Sequence, residues 1–153
     1  MENQIVIFEL SGEQFGVEIG AVESIVQMLP ITHVPQAPAF VKGVTNLRGR
    51  ILPVLDLCQR FGVATQPATR EQRIVVIHSG GMEAGIIVDG VSEVETIDPS
   101  QVEPPPALTR TATSAFVQGI VKLGERVIIL LDLAKVLSRE EEVQVAQLMA
   151  EAA

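Results

Sequence analysis

The chain has 153 residues, with 11 Lys and Arg against 19 Asp and Glu, for a net charge of −8. That length fits one domain of ordinary size, or two very small ones sharing a core, and 47% hydrophobic residues are enough to build that core rather than leave a disordered chain. The acidic balance, with no Trp, no Tyr and five Phe, argues against nucleic acid or an anionic membrane as partner, because those surfaces reward clustered Lys, Arg and stacking rings.

A single cysteine, Cys58, forbids an internal disulfide and a multi-cysteine metal site. Glu2 stands where a secretory leader would carry positive charge, and the longest apolar run, Val127 to Leu131, is far too short to span a bilayer. The expectation is a soluble cytoplasmic protein with no membrane insertion. Its abundance of Val and Ile, branched at Cβ, favours extended backbone.

In chain order, Ile5 to Phe8 is an apolar run of strand length, closed by a Ser11-Gly12 turn, and Gly16 to Ile19 is the return strand. Val22 to Val26 follows, then a loop punctuated by Pro30, Pro35 and Pro38. A second hairpin turns at Arg48-Gly49. Asp56 is placed to cap a short helix beginning at Leu57, which Gly62 ends.

The same order then recurs. Ile74 to Ile77, Gly85 to Val88 and Val91 to Val94 repeat the first three strands, with Ile74 to Val94 aligning without gaps on Ile5 to Ile25. Phe116 to Leu133 aligns likewise on Phe40 to Leu57, turning at Gly124-Glu125. The second copy is longer between these segments, about where Pro104-Pro105-Pro106 sits. Asp132 caps a second short helix, and Ser138-Arg139-Glu140-Glu141 opens a final one over 138–151.

Two copies of one small β module are therefore predicted, over 4–65 and 72–137. The fold class is all-β, and about five strands per module bury their apolar faces best by closing into a small barrel.

Catalytic chemistry is hard to find. His33 and His78 have no metal-ligand spacing around them, and Cys58 fills the slot that Ala134 occupies in the second copy, as a small packed residue does. Cys58 also sits at a helix start, which leaves a reactive thiol open. Asp89-Gly90 reads first as a turn. The predictions are no enzyme activity, no catalytic residues, no metal and no cofactor. The sharpest difference between matched hairpins is Asn46-Leu47-Arg48-Gly49 against Lys122-Leu123-Gly124-Glu125. Arg48 projects from a turn that its sister copy makes with glycine, and Arg suits docking because its planar fork bonds in several directions. Val22 and Val91, at equivalent positions, are either ordinary core or an apolar lip between modules.

Phe40 to Leu57, with its Asn46-Leu47-Arg48-Gly49 turn, resembles the signature of the CheW family, and Gly85 to Val91 resembles that family's second landmark. The resemblance runs from about Ile5 to Leu137. It implies two five-stranded SH3-like β-barrels packed around a shared interior, with exchange of an edge strand. It also implies an adaptor linking the cytoplasmic helical tips of transmembrane chemoreceptors to the histidine kinase CheA, whose regulatory domain has this same fold. The receptor tip is expected in the groove between the barrels, a helix-in-groove mode.

Carried over residue by residue, the receptor-facing positions are Val22, Lys42, Gly43, Arg48, Gly49 and Ile51. The kinase-facing positions are Gly85, Val91 and Val94. Ser24 stands where many relatives carry Glu, and Glu23 comes one place earlier, on what a regular strand makes its other face. Adaptors of pilus-type pathways share the pattern. A competing reading from another class is a small-molecule-binding β-barrel using the cleft with Cys58 or His78.

Overall fold

The computed structural model describes residues 4–35, 37, 40–58, 69–79, 82–104 and 117–132. Its first half gives strands β1 (Gln4–Leu10), β2 (Glu13–Glu18), β3 (Val22–Gln27), β4 (Val41–Leu47) and β5 (Arg50–Leu55). Its second half gives β6 (Arg73–Ser79), β7 (Met82–Val88), β8 (Gly90–Thr96), β9 (Val102–Glu103), β10 (Val117–Leu123) and β11 (Arg126–Leu131). The predicted strands are all present, and the short β9 is an addition. Leu57 and Cys58 enter a helical turn after Asp56, while the remainder of that helix, the one after Asp132 and the one over 138–151 lie outside the described residues.

The strands form two sheets, ordered β8-β1-β2-β11-β10-β9 and β3-β6-β7-β5-β4. In terms of position within a repeat, both run third, first, second, fifth, fourth. Each sheet takes the first hairpin of one repeat and the third strand and second hairpin of the other. The expected exchange of an edge strand is therefore an exchange of a whole hairpin, and segments 4–65 and 72–137 are each divided between both sheets. A lone five-stranded module would be marginal at this size, whereas crossing the hairpins gives the two sheets a common core.

Each sheet is rolled. In the six-stranded one, β8 and β9 are opposite edges, yet only residues 97–101 join them. Five spacings would hold the edges of a flat sheet about 24 Å apart. The link reaches about 21 Å when fully extended, and Pro99–Gln101 wind into a 3-10 turn that shortens it. The other sheet closes in the same way: Thr32, just beyond β3, exchanges N–H···O bonds of 2.8 and 2.9 Å with Val44 on the far edge strand β4.

Strand alternation then explains the core. Ile5 and Ile7 point into the six-stranded barrel with Ile97, Val121, Ile128 and Leu130. Ile74 and Val76 point into the five-stranded barrel with Leu47, Leu52, Val54 and Ile87. The intervening Val6, Phe8, Val75 and Ile77 face a third cluster between the barrels, joined by Phe15, Phe40, Leu55, Leu57 and Leu131. Runs such as Ile5 to Phe8 are continuously apolar because both faces are buried.

Candidate docking surface

The most divergent turn in the sequence is also a conformational outlier. Arg48 has φ +53° and Gly49 φ +85°, so the β4–β5 turn is type I′. The Asn46 side chain accepts the Gly49 N–H at 2.8 Å and holds the turn. In the sister hairpin Gly124 has φ +64° and Glu125 has no positive φ, which makes that turn type II′. The first repeat thus places an arginine where the second uses glycine. An L-residue in that region costs about 1–2 kcal/mol. Arg48 is exposed, and its guanidinium pairs with none of the described residues. Strain held at an exposed, unpaired side chain is a feature of functional sites.

The other proposed receptor-facing residues share the five-stranded barrel. Val22 opens β3, half-buried against the shared core. Lys42 is exposed at a β-bulge, since the β4–β5 register passes from Val41 directly to Gly43. Ile51 on β5 is 39% exposed. Gly43 differs: it is buried, and a Cβ there would lie 2.2 Å from the Thr32 carbonyl oxygen. The lack of a side chain there gives the clearance that lets Thr32 bridge to Val44. Gly119 does the same in the second repeat, beneath Val102 and Glu103.

The kinase-facing set is divided by the exchange. Val91 and Val94 lie on β8, an edge of the six-stranded barrel, with Val94 48% exposed and Val91 packed at the margin of the shared core. Gly85 is buried in β7 of the other barrel, where a Cβ would lie 2.7 Å from Ile74 Cγ2. Its lack of a side chain allows tight packing within the parallel β5–β7 pairing.

The third apolar cluster fills the interior between the two sheets. Among the described residues, the junction keeps a cavity of about 330 Å³ lined by Glu9, Glu71, Arg73, Gly90, Val91 and Ser92.

Sequence reasoning missed two charge networks. Arg50 on β5 reaches Glu83 on β7 at 2.7 Å and Glu23 on β3 at 3.2 Å. Its counterpart Arg126 pairs with Glu93 on β8 and donates to Gln14 on β2 at 3.2 Å. These carboxylates keep the Arg50 guanidinium protonated even more firmly than usual, Glu23 and Glu83 each contributing through a hydrogen bond, and Arg126 holds the Glu93 carboxyl below its ordinary range. The signal was present: Arg50 and Arg126 are identical although three of the four turn residues before them differ. Glu23 itself sits at a bulge, where the β3–β6 register passes from Val22 to Ser24, so simple alternation fails there.

The residues considered for chemistry find structural explanations. The Asp89 carboxylate accepts the N–H of Ser11 at 2.8 Å, and the Asp89 N–H is donated to the Glu9 carbonyl at 2.8 Å. It thereby braces the β1–β2 turn, in which Ser11 holds φ +54°. Cys58 is 3% exposed, and burial first, then Asp56 and Asp89, push its thiol up to about 11. A thiol so placed is a poor nucleophile at neutral pH, which removes the main support for a reactive cleft. His33 and His78 are both exposed. No group of three or more His, Cys, Asp or Glu among the described residues is arranged to hold a metal ion.

Two rolled sheets interlocked by hairpin exchange, with a strained arginine on one barrel, define a paired-barrel protein. A family model described as the CheW-like domain matches residues 4–141. The chemotaxis protein CheW of Klebsiella aerogenes is 37% identical over 138 residues, which cover 90% of this chain and 83% of that protein. Among solved structures, the scaffolding protein TtCheW from Thermoanaerobacter tengcongensis superposes with a TM-score of 0.83 at 39% identity, covering 92% of this chain and 91% of that one. Protein PilI of Pseudomonas aeruginosa is 31% identical over 115 residues, 74% of this chain and 64% of that protein. The chain belongs to the CheW family of chemotaxis scaffolds, and its fold is the pair of SH3-like barrels found there.

Proposed function

We propose that this protein is a cytoplasmic adaptor coupling the helical tips of transmembrane chemoreceptors to the histidine kinase CheA, recruited to membrane-associated arrays and performing no reaction itself. The observation that carries the reading is Arg48, exposed, unpaired among the described residues and held at positive φ by the Asn46 cap. Val22, Lys42, Gly43, Gly49 and Ile51 complete the receptor-facing side of the five-stranded barrel, and the receptor helix lies in the groove between the barrels. The kinase's CheW-like domain meets the six-stranded barrel around Val91 and Val94. Membership of the family supports both partners, and the absence of any helix long and apolar enough to cross a membrane, among the described residues, is compatible with a recruited protein.

The likeness to Protein PilI supports a pilus-type pathway less strongly, since the match covers only 64% of that protein. The test is a pull-down of CheA and a receptor helical hairpin by the wild type and by Arg48→Ala. The variant is expected to fold normally and to retain less of both partners. Retention equal to wild type would defeat the assignment, and Leu55→Ala serves as the control for loss through misfolding.

A further inference from the structure

Aligned on each other, the two barrels carry the same surface features with opposite charge. Ile25 on β3 and Ile51 on β5 are exposed on the five-stranded barrel, and their repeat counterparts Val94 on β8 and Val127 on β11 are exposed on the other. In each barrel an ion pair joins the two strands that bear these residues: Arg50 reaches Glu23, and Arg126 reaches Glu93. Charge breaks the likeness. The strands and hairpin turns of the five-stranded barrel hold four Lys and Arg against two Glu, a net +2, and those of the six-stranded barrel hold two against seven, a net −5. Ion pairing widens the contrast. Arg50 takes both carboxylates of its barrel, leaving Lys42, Arg48 and Arg73 outside any ion pair among the described residues. In the other barrel Lys122 is held by Glu103 and Arg126 by Glu93, which leaves five carboxylates over. The reversal is sharpest at the turns, where Arg48-Gly49 stands against Gly124-Glu125, all four residues exposed.

We propose that charge sorts the partners of the two barrels: Glu95 and Glu125 fit the patch around Val94 and Val127 to a basic face of the histidine kinase and repel an acidic partner suited to Arg48. The inference rests on the reading that the kinase meets Val91 and Val94, and it gives that contact its chemistry. Shape alone sorts the partners poorly, because both sheets share one strand order and both patches set an aliphatic pair beside an arginine ion pair. Discrimination then needs a repulsive element as well as an attractive one. The reversed turn supplies both, and Glu95 adds a carboxylate where the other barrel has Val26, packed on its interior cluster. Such complementarity acts mainly on association rate and on the rejection of wrong partners. A second copy of the chain also offers a basic patch, but it would have to cover Arg48, which the same reading gives to the receptor.

The experiment measures binding of intact CheA to the full chain from about 50 to about 300 mM salt, with association rates. Wild-type affinity is expected to fall at least about fivefold across that range, mostly through slower association. Gly124→Arg with Glu125→Gly copies the turn of the other barrel, and should weaken binding at least about threefold at the lowest salt and flatten the salt dependence. Glu125→Lys carries the same expectation if the double variant folds poorly, and Glu95→Gln should act in the same direction. Val94→Ala should weaken binding at every salt concentration, since it removes apolar contact rather than charge. Loss with Val94→Ala beside salt-independent binding that the turn variants leave unchanged would overturn the charge assignment and leave the kinase-facing reading standing. Wild-type binding by Val94→Ala would remove that reading, and the proposal with it. Self-association of the chain alone, abolished by Glu125→Lys, would make a second copy the occupant and overturn the proposal as well.

Discussion

Replacing Arg48 by glycine separates docking from folding in one substitution. The native arginine holds φ +53° at a cost of about 1–2 kcal/mol. Glycine removes that strain but brings about 0.5–1 kcal/mol of extra unfolded-state entropy. Because the guanidinium pairs with none of the described residues, no native contact enters the balance. The variant should range from equal stability to about 1.5 kcal/mol more stable, raising the melting temperature by up to about 3–6 °C for a chain of this size. Arg48→Ala keeps the strained turn and should fall within about 0.5 kcal/mol of wild type. Binding should respond differently: truncating an interface arginine of hot-spot quality costs about 2 kcal/mol, or about 30-fold in affinity, and equally in both variants. Urea unfolding and titration with a receptor hairpin read the two quantities independently. If Arg48→Gly lost more than 1 kcal/mol, the strain argument would be wrong. If both variants bound like wild type, the docking argument would be.

Four further outcomes follow from the geometry. Gly43→Ala drives its Cβ to 2.2 Å from the Thr32 oxygen and should cost about 3 kcal/mol, from strain plus the two Thr32–Val44 hydrogen bonds, as a fall in the urea midpoint. Asp89→Ala strips the Ser11 N–H of its acceptor and should cost about 1–3 kcal/mol in the same assay, with Asp89→Asn losing less. Native Cys58 should resist a thiol reagent at pH 8 and react appreciably only as the pH nears 11, whereas urea-unfolded chain labels at once. The sign of the linkage is fixed: a thiol pKa raised on folding adds stability that is complete below the ordinary value of about 8.5 and is lost as the pH climbs through about 11, so alkaline melts should show a decline in that window. Leu55→Ala, deep in the shared core, should cost about 2–5 kcal/mol and reduce all binding in proportion to the unfolded fraction.

Local rules made most of the strand framework readable. The runs Ile5 to Phe8 and Ile74 to Ile77, and the Ser11-Gly12 and Arg48-Gly49 turns, carry their conformation in their own residues. The repeat disclosed the internal symmetry, down to a common strand order in the two sheets. Which sheet a hairpin joins was not readable, because Ile5 to Phe8 has two apolar faces and can pair equally well with either copy's third strand. Bulges at Lys42 and Glu23 were hidden too, since an inserted residue breaks period-2 alternation without changing composition. Gly43 and Gly85 illustrate a further limit. A glycine retained for contact and one retained for backbone clearance look identical in sequence, and only the neighbouring Thr32 oxygen and Ile74 methyl distinguish them.

The hairpin exchange bears directly on how an adaptor must behave. Neither sheet can assemble from one repeat, and both line the cluster around Phe8, Phe15, Leu55 and Ile86. Phe8 and Phe15 stack there with ring centroids 6.0 Å apart. The two barrels consequently share one close-packed interior, which resists sliding of one face past the other. Arg50 and Arg126 reinforce this from outside, each tying strands of its rolled sheet together. A partner held near Arg48 and another held near Val94 would then be fixed in relative orientation by the core itself. Two barrels joined by a flexible linker could bind the same partners, but they could not impose that orientation.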